Sequence, residues 1–329
     1  MILAGDIGGT KTNLALFRPG SDRPQIEEGR RFKTTAYPSP VAMIEDFLAN
    51  YPGETITSAC LAVAGPVVDG HSHLTNVPWT LSQKDLIRHF GWHRCLLLND
   101  MEATVQAIPL LGASEVVSLQ DGRPAPDGTL AILAPGTGLG AALALKRCGE
   151  IIALASEAGH GDFAPMDEEG LSLWRYIATR EGHVCLEHIL SGPGLYRLYM
   201  WRRQMGDSHP DPATVKAIEA SDDPSARISS LALQEEDPVC VKVLAAFVRY
   251  LGAAAGNLAL TAMARSGIYL AGGIAPKILP KLQDGLFQKA FCEKTDFGDL
   301  LKTIPVKVIL TGEAPLLGAA HAALAAEDP

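Results

Sequence analysis

Apolar and polar positions along the chain change period in blocks, from strand-like alternation or short apolar runs to helical spacing and back. Strand-like runs cover residues 2–7, 12–17, 57–64, 94–98, 129–134, 141–145, 150–155, 267–271 and 305–310. Helical spacing covers 41–50, 82–90, 100–108, 170–180, 193–204, 238–264 and 314–326. Such alternation predicts sheets flanked by helices, an α/β protein. The longest apolar stretch, 243–264, contains Arg249 and Asn257 and is rich in alanine, which predicts a packed core helix rather than a membrane span.

The pattern also repeats. "ILAGDIGGTKTNLAL" near the start and "LAILAPGTGLGAALAL" at 130–145 each read as an apolar strand, a glycine-rich turn and a second apolar strand. "CLAVAGPV" at 60–67 is echoed by "GIYLAGGIAP" at 267–276. The same parts in the same order predict two related α/β domains facing each other across a cleft. A small domain spans 1–110, completed by the C-terminal segment 312–329, and a large domain spans 111–311. Residues 109–128, with "DGRPAPDG", read as the crossing between them.

Composition narrows the class. The 329 residues are 47% hydrophobic and 20% charged, which suits a well-buried α/β enzyme and excludes disorder. The net charge of -9 and the scarcity of Lys/Arg clusters argue against nucleic acid as a partner. The six cysteines are scattered and never form C-x-x-C, so they read as free thiols in a reducing cytoplasm. Asp6 interrupts the one apolar run that could start a signal peptide.

The chemistry concentrates in glycine turns. "GDIGGTKT" at 5–12 approaches the P-loop pattern G-x-x-x-x-G-K-[ST], but Thr10 stands where a glycine is required, and the following residues read as a strand, not a helix. Gly8 and Gly9 let the backbone approach an anion and expose N–H groups, and Thr10 adds a hydroxyl. Asp6, at the strand end, can hold Mg²⁺ through water; an ordinary hairpin turn is the competing reading. In the second turn, Gly136, Gly138 and Ala141 satisfy G-x-G-x-x-G/A, with Glu157 near the distance for a ribose contact, so a dinucleotide site is a rival. The span after Gly140 is short for a crossover helix, which favours strand–turn–strand. A third pair, Gly272-Gly273, could let a nucleoside base lie against the backbone.

Polar side chains follow the same strand ends. Asn99 and Asp100 end an apolar strand, where ligands bind in open α/β sheets, though one of the two could simply cap the helix starting near Met101. Glu157, His160 and Asp162 surround two glycines in "SEAGHGDF", a spacing that can converge on the adjacent hydroxyls of a polyol. Glu187 stands before the turn in "LEHILSGPGL"; its neighbours His183, Cys185 and His188 lack a second cluster to complete a zinc site. His71 and His73 read as solvent-exposed.

Together these residues resemble the bacterial glucokinase family, within the sugar kinase, Hsp70 and actin superfamily. The resemblance spans nearly the whole chain and rests on "GDIGGT", "LLLNDMEA", "PGTGLG", "EAGHGDFAP", "LEHILSGPGL" and "AGGIAP" in that order. It implies a two-lobed, actin-like ATPase (ribonuclease H-like) fold. It also implies Asp100 as catalytic base, and Asn99, Glu157, His160 and Glu187 as glucose contacts. ATP would meet Gly5, Asp6, Ile7, Gly8, Gly9 and Thr10, then Gly136, Thr137 and Gly138, with Gly272 and Gly273 for adenosine and Mg²⁺ near Asp6. Family members often follow the first motif with Asn-Ala-Arg, where this chain has Lys11-Thr12-Asn13, which is similar to the related repressor/ORF/kinase family. That second family's cysteine-rich zinc motif and DNA-binding helix-turn-helix are missing, which favours the zinc-free glucokinases.

The expected activity is ATP- and Mg²⁺-dependent phosphorylation of D-glucose at its 6-hydroxyl, feeding glycolysis. The expected partners are glucose and ATP, with the chain a cytoplasmic homodimer, free of nucleic acid and membrane. The competing functions are a kinase for another hexose, an NAD-dependent dehydrogenase built on "GTGLGA", and a non-enzymatic sugar sensor.

Overall fold

The computed structural model describes residues 1–74, 77–206 and 210–325. The last residue of the expected helix 314–326, and the end of the segment 312–329, lie outside the described residues. Two compact units emerge: Met1–Ala113 with Ile151–Ala155 and Thr311–Pro329, and Ser114–Glu150 with Ser156–Leu310.

The first unit holds β1 (Ile2–Ile7), β2 (Lys11–Arg18), β3 (Gln25–Lys33), β4 (Ser58–Val63), the short strands β5 (Val67–Val68), β6 (His71–His73) and β7 (Thr80–Ser82), and β8 (Arg94–Asn99). The main sheet runs β3-β2-β1-β4-β8, and β5-β6-β7 form a separate three-stranded sheet. β1 and β2 pair antiparallel across the "GDIGGTKT" turn, whereas β1, β4 and β8 are parallel. Both faces of the sheet are covered, so its central strands read as unbroken apolar runs. Leu3 and Ile7 face a core that includes Met43, Ile44 and Phe47 of the helix Pro40–Leu48. Ile2 and Ala4 face Ala103, Leu316, Ala319 and Ala320, from the helices Asp100–Ala107 and Ala314–Ala325.

The second sheet is built from β9 (Val116–Gln120), β10 (Gly128–Pro135), β11 (Leu139–Arg147), β12 (Glu150–Ser156), β13 (Gly267–Leu270) and β14 (Val306–Ile309), in the order β12-β11-β10-β13-β14-β9. All but β12 belong wholly to the second unit; Ile151–Ala155 of β12 are counted with the first. Leaving out β9, this is the topology of the first sheet. β10 and β11 form the antiparallel hairpin, and β13 and β14 follow in parallel as β4 and β8 do. The repeat in the sequence is a repeat in the fold. The apolar stretch 243–264 lies, as far as Ala262, in the buried helix Pro238–Ala262, which Met263 ends in the left-handed conformation; the helix is started by Asp237, whose carboxylate accepts the Cys240 N–H at 2.8 Å. Gly252 and Gly256 admit a close neighbour on that helix: Cβ atoms there would lie 2.4 and 2.5 Å from the carbonyl oxygens of Phe287 and Phe291.

The structure corrects the pattern reading in several places. Residues 109–128 are not only a crossing, because they carry β9, paired antiparallel with β14. β3 had no apolar signal, since of its residues only Phe32 is buried, and its charges suit an edge strand. The helices Pro212–Glu219 and Pro224–Leu233 were also unread, although each starts on an Asp-Pro pair in which the aspartate caps and the proline takes the first turn.

Candidate active site

In the first unit the strand register brings the two predicted groups to one sheet edge. Ile7 pairs with Val63 and Val63 with Asn99, so the Gly8–Thr10 turn and the Asn99-Asp100 pair lie at the same C-terminal end of parallel strands. This is where open α/β sheets bind ligands. The Gly8–Lys11 turn is tightly held. Gly8 N–H donates to Lys11 O at 3.0 Å, Thr34 Oγ1 donates to Gly8 O at 2.7 Å, and Thr34 N–H donates to Thr10 O at 3.0 Å. Among the described residues, no protein acceptor takes the N–H groups of Gly9 or Thr10. A fixed turn with N–H groups left over suits an anion. Lys11 opens a strand rather than a helix, so the P-loop likeness of this segment has no structural counterpart. Gly5 and Ile7 lie within β1, where Ile7 is buried and a Cβ on Gly5 would meet Leu61 at 2.7 Å. They shape the strand that carries the turn.

Asp6 belongs to a row that crosses three strands, Asp6 beside Asn13 beside Arg31. Arg31 Nε donates to Asn13 Oδ1 at 3.0 Å, and Asn13 Nδ2 donates to Asp6 Oδ2 at 3.2 Å. Burial pushes the Asp6 carboxyl above the ordinary carboxylate range, while the Asn13 bond and the Arg31 charge pull it back down. Asn13 and Arg31 were not singled out in the sequence, because only the register aligns residues 6, 13 and 31.

Asn99 and Asp100 sit where β8 becomes a helix. Asn99 is the cap: its Oδ1 accepts Met101 N–H at 2.9 Å, and Glu102 Oε2 accepts Asn99 N–H at 3.0 Å. Its Nδ2 donates to Gly65 O at 3.1 Å, tying the cap to the segment after β4. Asp100 Oδ1 also accepts Met101 N–H at 2.9 Å, so the helix N-terminus holds its carboxylate in place.

In the second unit the turn 136–138 joins β10 directly to β11, with Pro135 opposite Leu139. No helix follows it, so the G-x-G-x-x-G/A spacing does not build a dinucleotide turn. Gly136 N–H donates to Gly138 O at 2.8 Å, and no protein acceptor among the described residues takes the N–H groups of Thr137 or Gly138. Gly272 and Gly273 lie beside this turn. Ala271 N–H donates to Leu133 O, and Ile274 N–H to Pro135 O. Gly272 adopts φ +76°, and a Cβ there would lie 2.5 Å from Pro135 O, so only glycine fits.

The predicted sugar residues of this unit meet around the same turn. The segment carrying Glu157 and His160 is stitched to the one carrying Glu187: Phe163 N–H donates to Val184 O and Leu186 N–H to Gly161 O, both at 2.9 Å. Glu157 and His160 are exposed. Glu187 Oε2 accepts Leu139 N–H at 2.8 Å, at the exit of the phosphate-type turn. The histidines near Glu187 have other tasks. His183 pairs with Asp162 at 2.6 Å, and His188 Nδ1 accepts Cys185 N–H at 3.2 Å. His71 and His73 are exposed in β6, with His73 bonded to Thr80.

Comparison with known proteins agrees with this arrangement. The family model described as Glucokinase matches residues 3–326. A glucokinase of Nostoc punctiforme is 35% identical over 97% of this chain and 98% of its own length, and one of Caulobacter sp. strain K31 is 36% identical over 97% and 94%. Among solved structures, a glucokinase from an Antarctic psychrotroph superposes with a TM-score of 0.84 at 31% identity, covering 98% of both chains. A ROK family glucokinase from Streptomyces griseus, in complex with glucose and AMPPNP, shares the fold at a TM-score of 0.67 and 20% identity, covering 98% of this chain and 99% of its own. The duplicated sheets are therefore those of the actin-like ATPase fold, and the chain belongs to the glucokinase family.

Proposed function

We propose that the chain transfers the γ-phosphoryl group of ATP to the 6-hydroxyl of D-glucose, yielding glucose 6-phosphate and ADP (EC 2.7.1.2) at the entry of glycolysis. The observation that carries this reading is the shared edge of the first sheet, where a carboxylate fixed at a helix N-terminus, Asp100, lies with a glycine turn built for an anion.

Phosphoryl transfer proceeds through a loose transition state, so positioning and charge stabilisation supply most of the catalysis. Asp100 accepts the proton of the 6-hydroxyl as that oxygen bonds to the γ-phosphorus and the bond to the β,γ-bridging oxygen breaks. An ordinary aspartate suffices, because the proton leaves late. Asn99, Glu157, His160 and Glu187 hold the sugar hydroxyls. The N–H groups of Gly9, Thr10, Thr137 and Gly138 face the phosphates, and Gly272-Gly273 leaves room for adenosine.

Asp6 fits a magnesium ion held through water. It is a single carboxylate, one of whose oxygens is already bonded to Asn13, and the described residues contain no group of three or more His, Cys, Asp or Glu that would cage a metal. Magnesium keeps several waters and relies on substrate phosphates, so one carboxylate is a sufficient protein contribution. Bound there, it would neutralise charge on the β and γ oxygens.

The reading further takes the chain as a cytoplasmic homodimer with functional lobes 1–110 plus 312–329 and 111–311. Light scattering of the purified chain tests the dimer. The decisive activity test is formation of glucose 6-phosphate from ATP, Mg²⁺ and glucose, repeated with polyphosphate as donor and with a panel of hexoses. Product from glucose and ATP supports the assignment; NADH binding without sugar phosphorylation would sink it.

A further inference from the structure

Glu187 belongs to a sugar motif, yet its carboxylate is spent partly on the phosphate turn. Oε2 accepts the N–H of Leu139, the first residue after Gly138, at 2.8 Å. A Cβ on Gly138 would lie 2.5 Å from that same oxygen and 3.2 Å from the carboxyl carbon. The carboxylate therefore occupies the space that any side chain at 138 would need. Two more contacts lock the pair. Ser191 Oγ donates to Glu187 O at 2.7 Å, and Gly192 N–H donates to Gly136 O at 2.8 Å. On the other side, a Cβ on Gly159 would fall 1.9 Å from Leu139 O, so the segment of Glu157 and His160 also rests on the turn's exit. Oε1 of Glu187 has no hydrogen-bond partner among the described residues.

We propose that Glu187 is a positioning residue that couples the sugar site to the second phosphate turn. One carboxylate oxygen fixes the turn and the other is presented to a sugar hydroxyl, so sugar and nucleotide each favour the other's binding. This rests on the reading above, that Glu187 faces the sugar and residues 136–138 the phosphates. Linkage requires the coupling to be reciprocal: each ligand must tighten the other by the same factor, commonly about 5- to 150-fold for coupled sites.

The test is equilibrium binding by calorimetry on the full chain, with glucose and with Mg²⁺–AMPPNP, each alone and with the other saturating. In the wild type, each ligand should lower the other's Kd by the same factor, at least ~5-fold. Gly138→Ala is the informative variant. Its methyl group displaces the Glu187 carboxylate, so the glucose Kd should rise at least ~5-fold with no nucleotide present. Glu187→Gln keeps an oxygen for Leu139 but offers a donor where the sugar met an acceptor, so it too should weaken glucose. Glu187→Ala adds no bulk, and should raise the AMPPNP Kd with no sugar present.

An unchanged glucose Kd in Gly138→Ala, beside a raised one in Glu187→Gln, would overturn the coupling and leave the sugar assignment standing. An unchanged glucose Kd in Glu187→Gln would remove Glu187 from the sugar site and the coupling with it. Should Gly138→Ala not fold, Glu187→Ala decides alone: an AMPPNP Kd equal to the wild type's would overturn the proposal.

Discussion

Replacing Gly318 with alanine should damage both the stability of the first unit and the placement of Asp100, although residue 318 touches no predicted ligand. The helix Ala314–Ala325 packs on the helix Asp100–Ala107, and Gly318 lies directly against its backbone. A Cβ there would lie 1.7 Å from Ala103 O, 2.7 Å from Ala103 C and 3.0 Å from Ala107 N. To bring the nearest of these contacts out to 3.0 Å, the two backbones must separate by roughly 1.3 Å. Overpacking against backbone, which has no flexible end to yield, costs about 3 kcal/mol. The higher helix propensity of alanine returns about 1 kcal/mol. The net loss of ~2 kcal/mol corresponds to a Tm lower by about 4–8 °C. Ala103 is one helical turn from Asp100, so part of the displacement reaches the carboxylate, and misplacing a reacting group by about 1 Å costs on the order of 10²-fold. We expect kcat to fall between about 10- and 100-fold, measured by coupled detection of glucose 6-phosphate, with thermal unfolding followed in parallel. Gly53→Ala is the control, since nothing lies within 4 Å of a Cβ there, and it should stay within about 0.5 kcal/mol of the wild type. An unchanged Tm in Gly318→Ala would refute the packing argument. A lowered Tm with wild-type kcat would refute the link from that contact to Asp100.

Asp100→Ala should lower kcat by at least about 10²-fold with Tm retained, and near-normal turnover would remove Asp100 from its role. Glu157→Gln should chiefly raise the glucose KM, which steady-state kinetics at saturating ATP would show; an unchanged KM counts against the contact. Asp6→Asn should separate function from stability. Because burial raises the folded carboxyl above its ordinary value near 3.8, the folded state binds more protons, and wild-type stability falls as pH rises from that value through the raised one. The variant lacks this loss, so it should be less active yet more stable at pH 7, with the gain fading below about pH 4 in denaturant titrations. A gain that persists undiminished into acid would refute the linkage. Thiol titration should find Cys148, which is exposed, reacting first in the native protein. Cys60, Cys95 and Cys240 should wait for unfolding, because burial pushes their thiols up, Cys95 to about 12.

What the sequence revealed, and what it hid, follows from how far each signal reaches along the chain. The two hairpins were legible because a glycine turn between apolar runs is a local statement, and its repetition 128 residues later, Lys11 opening one second strand and Leu139 the other, made it a statement about the fold. Asn99 and Asp100 were legible for the same reason, and their competing readings turned out to be compatible: Asn99 caps the helix, which leaves the neighbouring carboxylate at its N-terminus. β3 was invisible because an edge strand needs no apolar face, so its charges looked like a loop. Its register nonetheless delivers Arg31 to Asn13 and, through it, to Asp6. That dependence shows why Asn13 could not be weighed from sequence alone. In this chain the arginine that bears on Asp6 is supplied from the neighbouring strand, with Asn13 as the intermediary. The Glu187–Leu139 bond was equally out of reach, since it joins residues 48 apart whose contact exists only once β11 and the segment before Ser191 are folded together. Side chains that act on a ligand announce themselves by residue type and motif. Those that hold them in place are fixed by register and packing, and here they become visible only in three dimensions.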